Sequence, residues 1–328
     1  MNKNIKTRLS LLLLILALVI LPSAIARFTA KKSFNGELNV NNHPRRILLR
    51  SAILEDNGGI NAIKAKVTPD FSKIATTKEG MFMAEDDYGE SYYYRGVADN
   101  WVDFAGFYWR IIRINGDGSI RLIYSGTKTN NTGADAQIGT SAYNPSDNGE
   151  KYVDYKISAV KKVVDNRYKT NILDKGYDNK IADTGYCNDM SKKSTNAFGA
   201  WNRLYDNKNP TLKCANKVSD LLFKSNNKLT YPVGLLMQDE ASFAGGVNNI
   251  EYRDYYLNTG KWYWTMTPTF FGNSVAFVGR VGNGTLGGDL SETIVSRSSG
   301  GVRPVLNLKA EVTITSGDGT LSSPYVIN

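Results

Sequence analysis

The segment WVDFAGFYWRIIRINGDGSIRLIYS, residues 101–125, constrains the fold more than any other part of the chain. It is the densest aromatic and β-branched run, interrupted by one turn signal, Asn115-Gly116-Asp117-Gly118. Two apolar runs around Asn-Gly or Asp-Gly predict a β-hairpin, because these residues tolerate the positive φ that such a turn demands. Strict alternation would put Phe107, Trp109, Ile111 and Arg113 on one face, and Tyr108, Arg110, Ile112 and Ile114 on the other. Both faces are largely apolar, so the strand is expected to be covered on both sides, with Trp109 in a structural role.

The remaining elements predict a mixed α+β chain. Ile157, Val160, Val163, Val164, Arg167 and Tyr168 follow helical spacing within residues 154–173. Gln238–Ala244 reads as a short helix with acids in its first turn, stopped by Gly245-Gly246. A third short helix is expected over residues 47–54, and an amphipathic piece after Cys214 with Val218, Leu221 and Leu222 on one side. Residues 126–150 and 174–212 lack periodicity and read as long loops. From Trp262 onward the chain reads as strands, over 262–266, 275–281, 293–296, 302–308, 312–315 and 325–327.

The first residues read as a secretory signal: a basic start, an apolar run over residues 9–21, then Ala24-Ile25-Ala26 ahead of Arg27. Cleavage after Ala26 is expected; retention as a membrane anchor is the alternative, since the run is short for a span of about 20 residues. Either outcome puts the protein outside the cytoplasmic membrane, extracellular or at the cell surface. Residues 1–26 are therefore assigned to a signal peptide or anchor, 27–75 to a linker or appendage, and 76–328 to a globular domain. The chain has two cysteines, Cys187 and Cys214. An even count in an exported chain suggests a disulfide; two unrelated buried thiols are the alternative. Of the net charge of +9, Lys3, Lys6 and Arg8 supply three, and the other basic residues form no block that would suit a nucleic acid.

No constellation of residues dictates a chemistry. The single histidine, His43, lies in the linker, which leaves Ser-His-Asp, Cys-His and His-based zinc sites without support. Ser158 and Lys161 match S-x-x-K, but inside a predicted helix and without companion motifs. Residues 282–287 match G-x-G-x-x-G, but another strand follows instead of a helix, so a turn is the better reading. Asp239-Glu240 and Asp86-Asp87 are paired carboxylates that would suit acid–base work; a helix start and a solvated loop explain them more simply. Trp262 and Trp264 would share a strand face, as a platform if exposed and as core if buried. Arg303 in an apolar strand needs acceptors and is expected to be a structural hub. No metal and no cofactor are expected.

Five segments together form a pattern: GESYYYRGVADNWVDFAGFYWRIIRINGDGSIRLIYSG, YPVGLLMQDEASFAGG, YWTMTP, GGVRPVLNL and SGDGTLSSPYVIN. The set resembles a large family of exported proteins of low-GC Gram-positive bacteria. Trp264-x-x-x-Pro268 with Gly301-Val302-Arg303-Pro304-Val305 is also similar to C-type-lectin-like domains of the formylglycine-generating-enzyme type. The resemblance implies a C-type-lectin-like fold over residues 80–328, with small antiparallel sheets, two or three helices and long ligand-displaying loops. The oxidase branch uses paired cysteines in the C-terminal part, and none lies beyond Cys214 here. The calcium and sugar motifs E-P-N, Q-P-D and W-N-D are also missing. The expectation is a non-catalytic, adhesin-like binding domain for an extracellular glycan or protein. Its contacts are expected between residues 267 and 301, with Trp262, Trp264, Phe270, Phe271, Phe277, Arg280 and Asn283 as candidates. A self-associating envelope component and a carboxylate-based enzyme are the alternatives.

Overall fold

A computed structural model of the protein describes residues 47–75, 77–251, 254–282 and 287–327. The N-terminal signal, His43 and Asn283 lie outside the described residues. The architecture is mixed α+β, with mostly small antiparallel sheets and few helices.

The aromatic run forms the centre of the larger sheet, as a meander and not as one hairpin. Trp101–Phe104 turns through Ala105-Gly106, both at positive φ, into Phe107–Ile114. That strand turns through the Asn-Gly-Asp-Gly segment into Ile120–Tyr124. Asp117 Oδ1 accepts from the Ser119 amide at 2.9 Å and locks the second turn. The sheet runs Val233–Gly234, Val305–Leu308, Ile120–Tyr124, Phe107–Ile114, Gly89–Gly96, Lys78–Asp86. Tyr325–Ile327 pairs in parallel with Trp101–Phe104.

The strict alternation expected for Phe107–Ile114 fails at one point. A bulge between Ile111 and Arg113 adds a residue, so Ile111 opposes Leu122 while Arg113 opposes Arg121. Opposed residues share a face, so Arg113 leaves the Ile111 face and joins Arg110 and Arg121. Ile114, opposite Ile120, joins Ile111. Re-aiming a side chain in this way is what a bulge does. As expected, both faces are covered, and Trp109 is 3% exposed with its indole N–H donated to Phe104 O.

The second sheet runs Leu290–Ile294, Val275–Val281, Tyr263–Gly272, Gly300–Gly301, Thr140–Ser141. Gln238–Ala244 is a helix over the expected residues and is buried throughout. The helix predicted over 154–173 starts later, at Ala159, because the Ser158 hydroxyl caps it by accepting from the Lys161 amide. Ile157 therefore precedes the helix and is exposed, while Val160, Val164, Tyr168 and Ile172 face the core. The same cap, with Lys161 paired to Asp165, gives the S-x-x-K residues a structural role. The piece after Cys214 is not a helix: it yields only the strand Leu221–Leu222, and Val218 is exposed.

Residues 47–75, part of the segment 27–75 expected to be a linker or appendage with a short helix, belong to the folded unit. Ile47–Leu48 pairs with Thr313–Ile314, and the helix Leu49–Asp56 buries Leu49, Ala52 and Ile53. Cys187 and Cys214 form a disulfide with their Cα atoms 5.5 Å apart. It ties the strand Tyr186–Cys187 to the loop after Leu212, a closure worth roughly 3 kcal/mol against the unfolded chain. Such a bond is consistent with an oxidising, extracellular setting. Among the described residues no helix is long and apolar enough to cross a membrane.

Candidate functional site

The candidate residues of the second sheet do not converge. Trp264 opposes Arg280, whereas Phe270 opposes Phe277, and an odd spacing between Phe277 and Arg280 sends them to opposite faces. Trp264 is fully buried, its ring edge-on to Tyr143 and its N–H donated to Ser141 O at 2.8 Å. It is a core residue and offers no contact surface. Trp262 is half-buried against Trp264, with the Arg280 guanidinium 5.2 Å from its ring centre. Phe270 and Phe277 meet on the other face, where Phe270 also touches Trp201 of the π-helical turn Trp201–Asp206. Phe271 opposes Ala276 and is half-buried. Burial raises the Glu292 carboxyl above its usual range, against the opposing pull of the Tyr205 hydroxyl and of Arg280.

The paired carboxylates are not on the surface. Glu240 is buried between Arg113 and Arg121, with Oε1 3.2 Å and 2.5 Å from their Nε atoms, and its Oε2 accepts from the Met237 amide. Arg113 also reaches Asp86 at 2.5 Å. Asp239 takes two hydrogen bonds from Arg203 and one from the Thr211 amide. Asp87 accepts from the Cys214 amide. Each of these carboxylates is occupied by cations or amides that join separate segments. They serve the scaffold, and the expected solvated loop at Asp86-Asp87 is corrected. Among the described residues no group of three or more His, Cys, Asp or Glu is placed to hold a metal ion.

Arg303 lies where a hub was expected, donating to Tyr124 O at 2.9 Å and to Leu257 O at 3.1 Å, with its guanidinium 4.7 Å from the Tyr263 ring centre. Its Nη2 bonds to no acceptor among the described residues. The carbonyl of Leu257 belongs to a loop that forms one wall of an open cleft. The cleft is also lined by Asn130, Asn131 and Thr132, and the Arg110 side chain lines it beside Trp101.

The place of Arg110 follows from the meander. Trp101 and Arg110 are cross-strand partners, so the guanidinium lies over the indole, 4.1 Å from its centre. Tyr256 flanks it at 5.3 Å. The Arg110 Nε donates to Asn100 Oδ1, and Nη2 donates to Ala98 O at 2.8 Å. Burial pulls its pKa below that of an ordinary arginine, and the nearby Arg303 charge adds to the effect. The walls carry small polar groups, including Asn130, Asn131, Thr132 and Thr259, and Asp254 stands among them. Sequence reasoning missed this cleft. The available signal was Arg110 itself, a cation in an aromatic strand with no acid at pairing distance along it.

Comparison of the chain with protein-family models, with curated proteins and with solved structures gives no match.

Proposed function

We propose that this protein is an exported, non-catalytic binding domain of C-type-lectin-like architecture, with its ligand seated in the cleft above Arg110. The observation that carries the reading is the cleft itself: a guanidinium fixed between two aromatic rings, walled by amide and hydroxyl side chains from separate loops. A few directed polar groups over a rigid apolar support are what a small-ligand site requires. The lectin-like reading draws support from long loops over a mixed scaffold and from the Trp264 and Arg303 motif segments in the core. Export is supported by the signal-like start of the sequence and by the disulfide. The loops between residues 267 and 301 give less support, because their aromatic residues divide between two sheet faces.

An array of glycans and cell-surface peptides probed with the protein tests this. Thr132 is exposed at the rim, so Thr132→Trp fills the cleft with little cost to folding. Hits lost in Thr132→Trp and kept in Phe277→Ala support the cleft. Hits kept in Thr132→Trp and lost in Phe277→Ala would move the site to the second sheet.

A further inference from the structure

We infer that the cleft recognises its ligand through a single carboxylate held by Arg110, and that the ligand is an acidic sugar of the uronate type. The inference rests on the binding reading above and adds to it the chemical class of the ligand.

The first observation is a buried guanidinium without a salt bridge among the described residues: Asp99, which attracts it, is itself paired with Lys78. Arg110 is 9% exposed, yet it lines an open cleft. Both of its hydrogen-bond acceptors, Asn100 Oδ1 and Ala98 O, are neutral, and Nη1 bonds to no described residue. Arg303, close enough to repel it, is completely buried, and the described groups it meets, two carbonyls and Tyr263, are neutral. Two buried guanidinium groups thus share one region without an ion pair among the described residues. Elsewhere in the fold the buried arginines Arg95, Arg113 and Arg121 all have carboxylates. An isolated buried cation is costly, and an acceptor of opposite charge relieves the cost. A carboxylate matches the planar guanidinium fork, which is already fixed by the Trp101 ring below it.

The second observation limits the ligand's charge and body. Asp254 also lines the cleft, and its charge disfavours a ligand of high negative charge more than one that carries a single carboxylate. Asn130, Asn131, Thr132 and Thr259 offer amide and hydroxyl groups suited to sugar hydroxyls.

NMR titration of the full exported protein with D-glucuronate, its methyl ester and D-glucose tests the inference. Glucuronate is expected to shift the Arg110 Nε–H and Trp101 indole signals saturably. The ester and glucose are expected to bind at least roughly tenfold more weakly, because each lacks the charged acceptor. Arg110→Gln should remove that difference; if Arg110→Gln does not fold, Thr132→Trp should abolish the glucuronate shifts. Equal binding of acid and ester, shifts confined to residues outside the cleft, or no binding of glucuronate would each overturn the inference. If array ligands are still blocked by Thr132→Trp while acid and ester bind alike, the carboxylate assignment fails and the cleft stands. If array ligands bind regardless of Thr132→Trp, the cleft itself fails.

Discussion

Glu240 Oε1 lies 2.5 Å from Arg121 Nε, and neither side chain has any exposed surface. The contact joins the helix Gln238–Ala244 to the central strand Ile120–Tyr124, and through Arg113 it reaches Asp86 at the end of the strand Lys78–Asp86. Arg121 also lies over the Tyr186 ring, 4.5 Å from its centre, so the network touches the disulfide-bonded strand. Removing one member of such a network leaves the others charged and buried. Glu240→Ala is expected to cost about 3–5 kcal/mol of stability. Urea denaturation measures it, and a loss below about 1 kcal/mol would show that the network is dispensable.

The disulfide joins the buried strand Tyr186–Cys187 to the loop after Leu212, across a sequence separation of 27 residues. Cys187→Ser with Cys214→Ser is expected to lower stability by roughly 3 kcal/mol. The comparison is thermal unfolding of the variant against the oxidised and the reduced wild type, with the variant matching the reduced protein.

Ala105 sits in the tight turn before Phe107 at φ 57°, next to Gly106 at φ 77°. A side chain with a Cβ is strained there, whereas glycine is not. Ala105→Gly is expected to stabilise the protein by up to about 1 kcal/mol, an unusual sign for this substitution. A lower unfolding midpoint for the variant would contradict the strain.

Burial raises the Glu292 pKa above its ordinary 4.5. The protonated carboxyl therefore favours the fold. This contribution is present below the unfolded pKa and is lost as pH rises through the raised folded value. Glu292→Gln stays neutral, so its stability relative to wild type should grow as pH is taken from about 4 to about 7. A parallel pair of stability curves would contradict this.

The meander was partly legible because turn chemistry is local: Asn115-Gly116-Asp117-Gly118 announces its own φ values. The bulge at Ile112 was not, because an inserted residue leaves no mark in an apolar strand and is fixed by pairing with Arg121. Residues 47–75 read as a linker because the partner of Ile47–Leu48 lies at the far end of the sequence. Asp239 and Glu240 read as a solvated helix start because their arginine partners come from Arg113, Arg121 and Arg203, distant in sequence. The cleft was the least legible feature. It needs Arg110, the loop at residues 130–132 and the loop at 254–259 brought together by the sheet, and none of the three carries a motif. Trp264 stood out in the sequence for its size, and size is what buries it.

Hydrogen exchange of the protein with and without its strongest array ligand tests the binding cleft most directly. Added protection is expected in residues 126–132 and 254–260, with residues 267–282 unchanged. Protection confined to residues 267–282 would contradict it.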